Sequence, residues 1–174
     1  HSAAEIFAQM KHPAPTVSGI LLCYNCEAFI GEALLSALQQ KCPPMQLVIS
    51  DDASTDGTVD RIRSTLDAYR GPHSIEFYQR SVNSGGKSAH LNGVFGRASG
   101  EIIISFDGDD ISEPFRVRRI LDEFMKHPDA YAVYSSFSLI DESGRRLGAG
   151  HVPHPGEHED AAGWFARVDA YAAG

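Results

Sequence analysis

The chain has 174 residues, of which 43% are hydrophobic and 22% charged, and its formal net charge is −8. This length suits one domain with a substantial core, and the composition excludes a disordered chain. The acidic balance argues against a nucleic-acid partner, and no apolar run is long enough to span a membrane. The default expectation is a cytoplasmic location, with peripheral attachment to the inner membrane face left open.

Strand-like and helix-like segments alternate along the chain. A short helix with a proline-rich lead-in is predicted first, and apolar, β-branched strands are predicted at residues 17–24, 46–50, 74–79, 102–106 and 131–140. The last strand is expected to turn into a hairpin with residues 145–147. Helical spacing of apolar residues predicts helices at residues 27–40, 56–69, 87–98, 114–126 and 159–171. This alternation predicts an α/β doubly wound fold, with a mostly parallel central sheet flanked by helices.

Polar residues follow three of these strands. Tyr24-Asn25 and Asp51-Asp52 follow the first two strands, and the acidic segment 107–110 follows the fourth. Ligands of open α/β sheets bind beyond the carboxyl ends of the strands. Right-handed crossovers should therefore gather these polar residues along one edge of the sheet.

The acidic segment is a candidate metal site. Asp107, Asp109 and Asp110 fall within four positions directly after a buried strand. Carboxylates this close repel one another unless a cation lies between them, and oxygen ligands favour magnesium, calcium or manganese. The alternative is a solvated acidic turn that caps the next helix.

Four blocks of sequence, in order, carry a family resemblance. These blocks resemble the successive sequence motifs of family 2 glycosyltransferases of the GT-A fold. They are residues 17–27, 50–58, 83–93 and 98–110, and Pro114 and Arg116 follow the last block. The resemblance covers about residues 17–140 and includes an Asp-x-Asp metal motif. It implies a Rossmann-like GT-A fold, a nucleotide-diphosphate-sugar donor with a UDP-sugar favoured, and Mn²⁺ or Mg²⁺.

The resemblance also implies roles for single residues. Asp109 is expected to bind the metal, and Asp107 to face the ribose or share the metal through water. Asp51 is expected to accept a hydrogen bond from the base, and the alternative is that it only caps the following helix. Lys87 is expected near the base or diphosphate, or else as a solvated lysine in a first helical turn.

The remaining residues of the implied nucleotide-sugar site lie near the first and fourth strands. The backbone near Leu22 and the ring of Tyr24 are expected to line the base pocket, and Glu27 and Gly108 complete the set. A divalent cation would stabilise the negative charge that develops on the departing diphosphate. The family resemblance implies inversion at the anomeric carbon, with a carboxylate base that activates an acceptor hydroxyl.

The predicted organisation has three parts. Residues 1–16 form an N-terminal extension, residues 17–147 the nucleotide-sugar-binding GT-A domain, and residues 148–174 the start of an acceptor-side region that is expected to be incomplete. The catalytic base is expected to lie outside the chain. Glu159 and Asp160 are the only acidic pair after the hairpin, and they suit the start of a surface helix equally well.

Several alternatives stay open at this point. Residues 106–111 resemble the aspartyl-nucleophile motif of haloacid-dehalogenase-like phosphatases, and a non-catalytic nucleotide-sugar-binding module would share the GT-A fold. Cys23 and Cys26 have the spacing of a redox or metal pair but are expected to be free thiols. Three histidines could bind a metal or could simply lie in a loop: His151, His154 and His158. The sugar, the base, the oligomeric state and the acceptor, which could be a saccharide, a lipid-linked group or a protein, stay undetermined.

Overall fold

The computed structural model describes residues 15–150, which fall into two compact units, one ending at Lys126 and the other beginning at His127. The strands of the first unit are β1 (Val17–Cys23), β2 (Gln46–Asp51), β3 (Ser74–Gln79) and β4 (Ile102–Asp107). Its helices are α1 (Ile30–Leu38), α2 (Thr58–Ala68), α3 (Lys87–Phe95) and α4 (Arg116–Lys126). The second unit contains β5 (Ser138–Ile140) and β6 (Arg146–Ala149).

The four strands of the first unit form one parallel sheet in the order β3-β2-β1-β4. Every residue of the central strand β1 is buried, as expected for a strand covered on both faces. The fold class predicted from the sequence is therefore confirmed, because strands and helices alternate around a parallel sheet.

Helix α1 shows why the segments fold as they do. Its apolar residues recur at helical spacing, and the five that share this face are all buried: Ile30, Ala33, Leu34, Ala37 and Leu38. The parallel register then places the strand tips side by side. Cys23 pairs with Asp51, and Leu22 pairs with Asp107. The carboxyl ends of β1, β2 and β4 thus meet at one edge of the sheet.

Two details differ from the sequence-based predictions. The strand predicted at residues 131–140 is formed only by Ser138–Ile140, which pairs antiparallel with β6. Within the described part of the second unit, the stretch before Ser138 has no strand partner, and Tyr131 is fully exposed. In α3 the buried residues are His90 and Val94, whereas Phe95 is half exposed. The apolar spacing predicts Leu91, Val94, Phe95 and Ala98 on the inner face, and only Phe95 departs from it, because Leu91 and Ala98 pack against the core beside Val94.

The predicted hairpin is confirmed. Asp141 organises its turn, because its carboxylate accepts hydrogen bonds from the backbone N–H groups of Ser143 and Arg145, both at 3.0 Å. Within residues 15–150, no helix is both long enough and apolar enough to cross a membrane. The predictions for residues 1–14, for Glu159 and Asp160, and for the three histidines after Gly150 lie outside the described residues.

Candidate functional site

The carboxyl ends of the strands surround a hollow of about 690 Å³ in the first unit. Strand tips supply most of its walls, and the loop before α3 and the first turn of α3 supply the rest. The lining residues are Leu22, Cys23, Tyr24, Asp52, Asn83, Gly85, Gly86, Lys87, His90, Asp107, Asp109 and Asp110. The hollow thus joins acidic side chains, a lysine and an exposed aromatic ring at the edge where ligands of such sheets bind.

The tip of β4 brings three carboxylates to this hollow. The Gly108 N–H donates to the Leu22 carbonyl at 2.8 Å and so fixes the acidic turn against β1. Partial burial raises the pKa of Asp110, and the neighbouring negative charges of Asp107 and Asp109 raise it further. The turn therefore concentrates negative charge, which favours a cationic occupant.

Two basic side chains face this acidic turn. Lys87 Nζ lies 2.7 Å from Asp107 Oδ2, although the lysine side chain is 65% exposed. The Arg116 guanidinium donates to the Ser105 carbonyl at 3.1 Å and lies 5.2 Å from the centre of the Phe106 ring. Burial lowers the pKa of Arg116, and the nearby carboxylates oppose that effect. One lysine and one arginine thus offset part of the charge.

The donor atoms at this turn fit a hard divalent cation in an open site. Mg²⁺ is typically held by one or two carboxylates together with substrate phosphates, rather than by a protein cage. Asp109 is exposed and Asp107 is partly exposed, so both can supply oxygen ligands from the hollow. No group of three potential ligand side chains that could hold a metal occurs within residues 15–150. Two carboxylates in an open site would leave the remaining positions around such a cation to a bound ligand and water.

At the tip of β2 two adjacent aspartates have different surroundings. Asp51 is fully buried, and its carboxylate accepts hydrogen bonds from the Ser54 backbone N–H at 3.0 Å and from the Ser54 hydroxyl. Asp51 does not line the hollow, whereas Asp52 does. Asp51 ends β2 and Asp52 follows it, and neighbouring residues of an extended chain point to opposite sides, which fits the presence of Asp52 alone at the hollow.

Asp52 also holds the loop that precedes α3. Its carboxylate accepts hydrogen bonds from the Ser84 backbone N–H at 3.0 Å and from the Ser84 hydroxyl at 2.7 Å, and Arg80 Nε lies 3.1 Å away. Gly85 and Gly86 follow with φ values of 87° and 151°, which residues other than glycine rarely adopt. The loop can thus bring its backbone close to a ligand in the hollow.

At the tip of β1, Tyr24 projects into the hollow and is half exposed. The next residue, Asn25, has a φ of 46° and turns the chain toward α1. Its backbone N–H donates to the Ser54 hydroxyl at 2.9 Å, and its side-chain oxygen accepts from the Thr55 N–H at 2.8 Å. The loops after β1 and β2 are therefore joined directly to each other.

Glu27 has a different position from the one expected. Its carboxylate accepts a hydrogen bond from the Gly57 backbone N–H at 3.0 Å, at the start of α2. Its own N–H donates to the Asp56 carboxylate at 3.2 Å. Glu27 is not among the residues that line the hollow, so the structure gives it a contact between loops instead of a ligand contact.

Cys23 and Cys26 lie together beneath the acidic turn, and both are free thiols. The hydrogen bond between the two thiols raises the pKa of Cys23 and lowers the pKa of Cys26. Cys23 Sγ also lies 3.3 Å from the Ser50 carbonyl oxygen. The sequence spacing alone did not show that these sulfurs share one location.

His90 is a lining residue that the sequence analysis missed. Its ring is buried, and Nε2 lies 2.8 Å from the Ser50 hydroxyl. Burial lowers the pKa of His90, so the ring is neutral near pH 7. Its position three residues after Lys87 in α3 puts both on one side of the helix, and that spacing was the available signal.

The structure therefore brings together most of the predicted site. Leu22, Tyr24, Lys87, Asp107 and Asp109 all line the hollow. Gly108 is buried behind it in direct contact with β1, and Asp51 and Glu27 lie outside it.

Comparison with known proteins gives a consistent result. The family profile described as "Glycosyl transferase family 2" matches residues 18–167. The chain is 37% identical over 145 residues to the putative glycosyltransferase EpsE of Bacillus subtilis, which covers 82% of this chain and 51% of EpsE. The chain thus spans about half the length of this relative.

Solved structures resemble the same part of the chain. TarS of S. aureus (residues 1-349), in complex with UDP-GlcNAc, has a TM-score of 0.57 and 29% identity and covers 65% of this chain and 32% of that chain. The mannosyltransferase PcManGT of Pyrobaculum calidifontis, in complex with GDP-Man and Mn²⁺, has a TM-score of 0.53 and 26% identity. That match covers 62% of this chain and 33% of the mannosyltransferase.

Proposed function

The chain belongs to glycosyl transferase family 2, and we propose that it forms the donor-binding half of a metal-dependent, inverting glycosyltransferase. The donor would be a nucleotide-diphosphate sugar, and the acceptor would supply a hydroxyl group. The observation that carries this proposal is the hollow at the sheet edge, where Asp52, Asp107 and Asp109 from two strand tips lie around one space with Tyr24 and Lys87.

The acidic turn would hold the cation. We assign Asp109 as a direct ligand and Asp107 as a second ligand or a contact to the ribose, with Mn²⁺ or Mg²⁺ as the ion. When bound, the cation would neutralise charge on the diphosphate leaving group. Lys87, now paired with Asp107, would add a positive charge on the same side of the hollow. An acidic turn of this kind needs such positive charge to accept an anionic donor.

The wall formed by β1 and β2 would hold the base. Tyr24 offers an exposed ring for stacking, and the Leu22 backbone lies beside it in the same wall. Asp52, rather than Asp51, faces the hollow and would accept the hydrogen bond from an N–H of the base. A UDP-sugar is the favoured donor because TarS, which has the higher identity of the two neighbours, is in complex with UDP-GlcNAc. The complex of PcManGT with GDP-Man makes a GDP-sugar the second choice.

Inversion by direct displacement requires a carboxylate that removes the proton of the acceptor hydroxyl. We assign this base to none of the residues 15–150, because Asp52, Asp107 and Asp109 have roles in donor or metal binding and Asp110 directly adjoins the assigned metal ligand Asp109. Glu159 and Asp160 stay candidates from the sequence alone. The acceptor, whether saccharide, lipid-linked or protein, stays unassigned.

Two alternatives are treated differently. The phosphatase alternative is dropped, because the family match identifies the acidic turn as part of a glycosyltransferase domain. A non-catalytic nucleotide-sugar-binding module of the same fold is kept as an outcome of the experiment.

Calorimetric titration of the protein with UDP, GDP and dTDP, each with and without Mn²⁺, tests the proposal. We expect UDP to bind with Mn²⁺ and to bind much more weakly without it. Asp109→Ala should remove the Mn²⁺ dependence, whereas Asp67→Ala, at an exposed aspartate near the end of α2, should leave it unchanged.

The possible results distinguish the enzyme from the non-catalytic nucleotide-sugar-binding module. In the full-length protein, binding accompanied by hydrolysis or transfer of the UDP-sugar supports the enzyme, and binding without turnover of any donor supports the non-catalytic module. No nucleotide binding under any of these conditions would refute donor binding. A folded Asp109→Ala variant with unchanged Mn²⁺ dependence would remove the metal assignment.

A further inference from the structure

His90 forms part of the inner wall of the hollow, between α3 and the sheet. It lines the hollow although only 3% of the residue is exposed, and Asp52, the proposed acceptor for the base, combines the same exposure with a place in the same wall. Val94, one helical turn later, packs in a core cluster with Leu22 and Val48. The imidazole ring is therefore held in place between the helix and the sheet.

One ring nitrogen of His90 is already bonded. Nε2 lies 2.8 Å from the hydroxyl oxygen of Ser50, which is fully buried in β2. Among residues 15–150 this hydroxyl group has no other acceptor for its proton. Burial lowers the pKa of His90, so the ring is neutral near pH 7 and carries a single N–H group. Since buried polar groups are almost always hydrogen-bonded, the Ser50 hydroxyl donates to Nε2, and the ring proton is on Nδ1.

Nδ1 is the polar atom of His90 that is left for a ligand. In the part of the chain that the structure describes, Nδ1 has no hydrogen-bond partner. A buried donor without a partner is unfavourable, and in folded proteins such groups usually find one. The open space at His90 is the hollow itself. A ligand that carries a hydrogen-bond acceptor can therefore supply the missing partner.

Asp52 indicates which part of a ligand lies beside His90. Asp52 follows Ser50 by two residues, and its N–H donates to the Cys23 carbonyl at 3.0 Å, so the chain is still paired with β1 there. Side chains two residues apart on an extended chain lie on the same side. The Asp52 carboxylate also opposes the effect of burial on the pKa of His90, as expected of side chains that are close together. The wall thus presents a hydrogen-bond acceptor next to a donor.

We propose that His90 is a specificity-determining residue for the base of the donor, with Nδ1–H donating to a ring carbonyl while Asp52 accepts from the adjacent ring N–H. The inference rests on the proposed function and adds the selection of the base to it. Uracil has an N–H group beside a carbonyl group. Cytosine has an unprotonated nitrogen and an amino group at the same two positions, so it would place donor against donor at His90 and acceptor against acceptor at Asp52. Sites built around hydrogen bonds reject analogues that leave their buried polar groups unpaired.

Calorimetric titration with UDP and with CDP, both in the presence of Mn²⁺, tests the inference in the wild type and in two matched variants. The side chain in His90→Asn places an amide N–H near the position of Nδ1 but does not extend to Ser50. The side chain in His90→Gln extends to Ser50 but has no N–H at the position of Nδ1. We expect the wild type to bind UDP about tenfold or more tightly than CDP. His90→Asn should keep most of this preference, and His90→Gln should lose most of it.

A purely structural role of His90 predicts the opposite order for the two variants, because only glutamine can replace the bond to Ser50. Urea unfolding measures that structural effect separately. Long-range ¹H–¹⁵N correlation spectra of the wild type show which ring nitrogen carries the proton, and a proton on Nε2 would overturn the inference whether or not the variants fold.

The titrations also distinguish this inference from the proposed function. If the wild type binds UDP with Mn²⁺ but binds CDP equally well, or if a folded His90→Gln variant keeps the full preference for UDP, His90 does not select the base and the proposed function stands. If the wild type binds no UDP, the proposed function is refuted and the role of His90 is refuted with it.

Discussion

Gly108→Ala tests the packing that holds the acidic turn against β1. The added Cβ would lie 2.7 Å from Cys23 Cβ, 2.9 Å from Cys26 Sγ and 3.1 Å from the Leu22 carbonyl oxygen. Gly108 does not have a positive φ, so the penalty is steric and not conformational. Cys23 and Leu22 belong to the central strand, which is paired on both sides, so they cannot move away without disturbing the sheet.

The expected cost follows from these contacts. Adding a methyl group to a well-packed core typically destabilises a protein by about 1–3 kcal/mol, and contacts on two sides favour the upper half of that range. Gly31→Ala is the matched control, because Gly31 lies in α1 and a Cβ there would meet nothing within 4 Å. Alanine is favoured over glycine in helices by about 0.5–1 kcal/mol, so this variant should be more stable than the wild type.

Urea unfolding followed by circular dichroism measures both variants against the wild type. We expect the free energy of unfolding to fall for Gly108→Ala and to rise for Gly31→Ala, with unchanged m values. The reasoning would be refuted by a Gly108→Ala variant within about 0.5 kcal/mol of the wild type, which is the range of an ordinary surface substitution. Equal losses in both variants would also contradict it, because only one site is crowded.

Three further predictions concern charge. Lys87→Met should raise the affinity for Mn²⁺ alone by less than about fivefold, since exposed ion pairs contribute about 0.2–1 kcal/mol. The same variant should weaken UDP binding. Calorimetry that shows no change in either affinity would argue against both roles of Lys87. Because the pKa of Asp110 is raised, Mn²⁺ affinity should decline with acidification at a higher pH than an ordinary aspartate would allow, and Asp110→Asn should flatten this profile. Burial lowers the pKa of His73 below its usual 6.5, so its contribution to stability is complete above that pH and is lost as the pH falls through the folded-state pKa. Urea titrations at several pH values should show a smaller acid loss in His73→Asn, whose side-chain oxygen can replace Nδ1 as acceptor for the Met45 N–H; an equal loss would contradict the assignment.

The sequence contained enough information for the sheet and for the acidic turn. Strands such as Val17–Cys23 are apolar throughout because both faces are covered, and this pattern predicts a parallel sheet directly. The placement of Asp107 and Asp109 beside Tyr24 then follows from topology alone, since parallel strands end at the same edge. These parts of the site depend on chain order, which the sequence states explicitly.

Other features depend on side-chain direction, which the sequence does not state. Asp51 and Asp52 are chemically identical neighbours that are both buried, and only the position of Asp52 in the wall of the hollow distinguishes them. The contact between Cys23 and Cys26 needs the left-handed turn at Asn25. Asparagine tolerates this conformation, but an asparagine in the sequence does not by itself predict it. Residues 131–137 have strand-like composition, yet β propensity yields a strand only where a partner is available.

The bonds between the loops after β1 and β2 also affect how this edge of the protein can evolve. Cys26 N–H donates to the Thr58 hydroxyl at 2.8 Å, in addition to the links that Asn25 makes with Ser54 and Thr55. Because two hydroxyl groups and one amide anchor both loops, neither segment can change length or direction alone. Insertions beside Tyr24 should therefore be poorly tolerated, and new ligand preferences should arise through substitutions that keep the length of both loops.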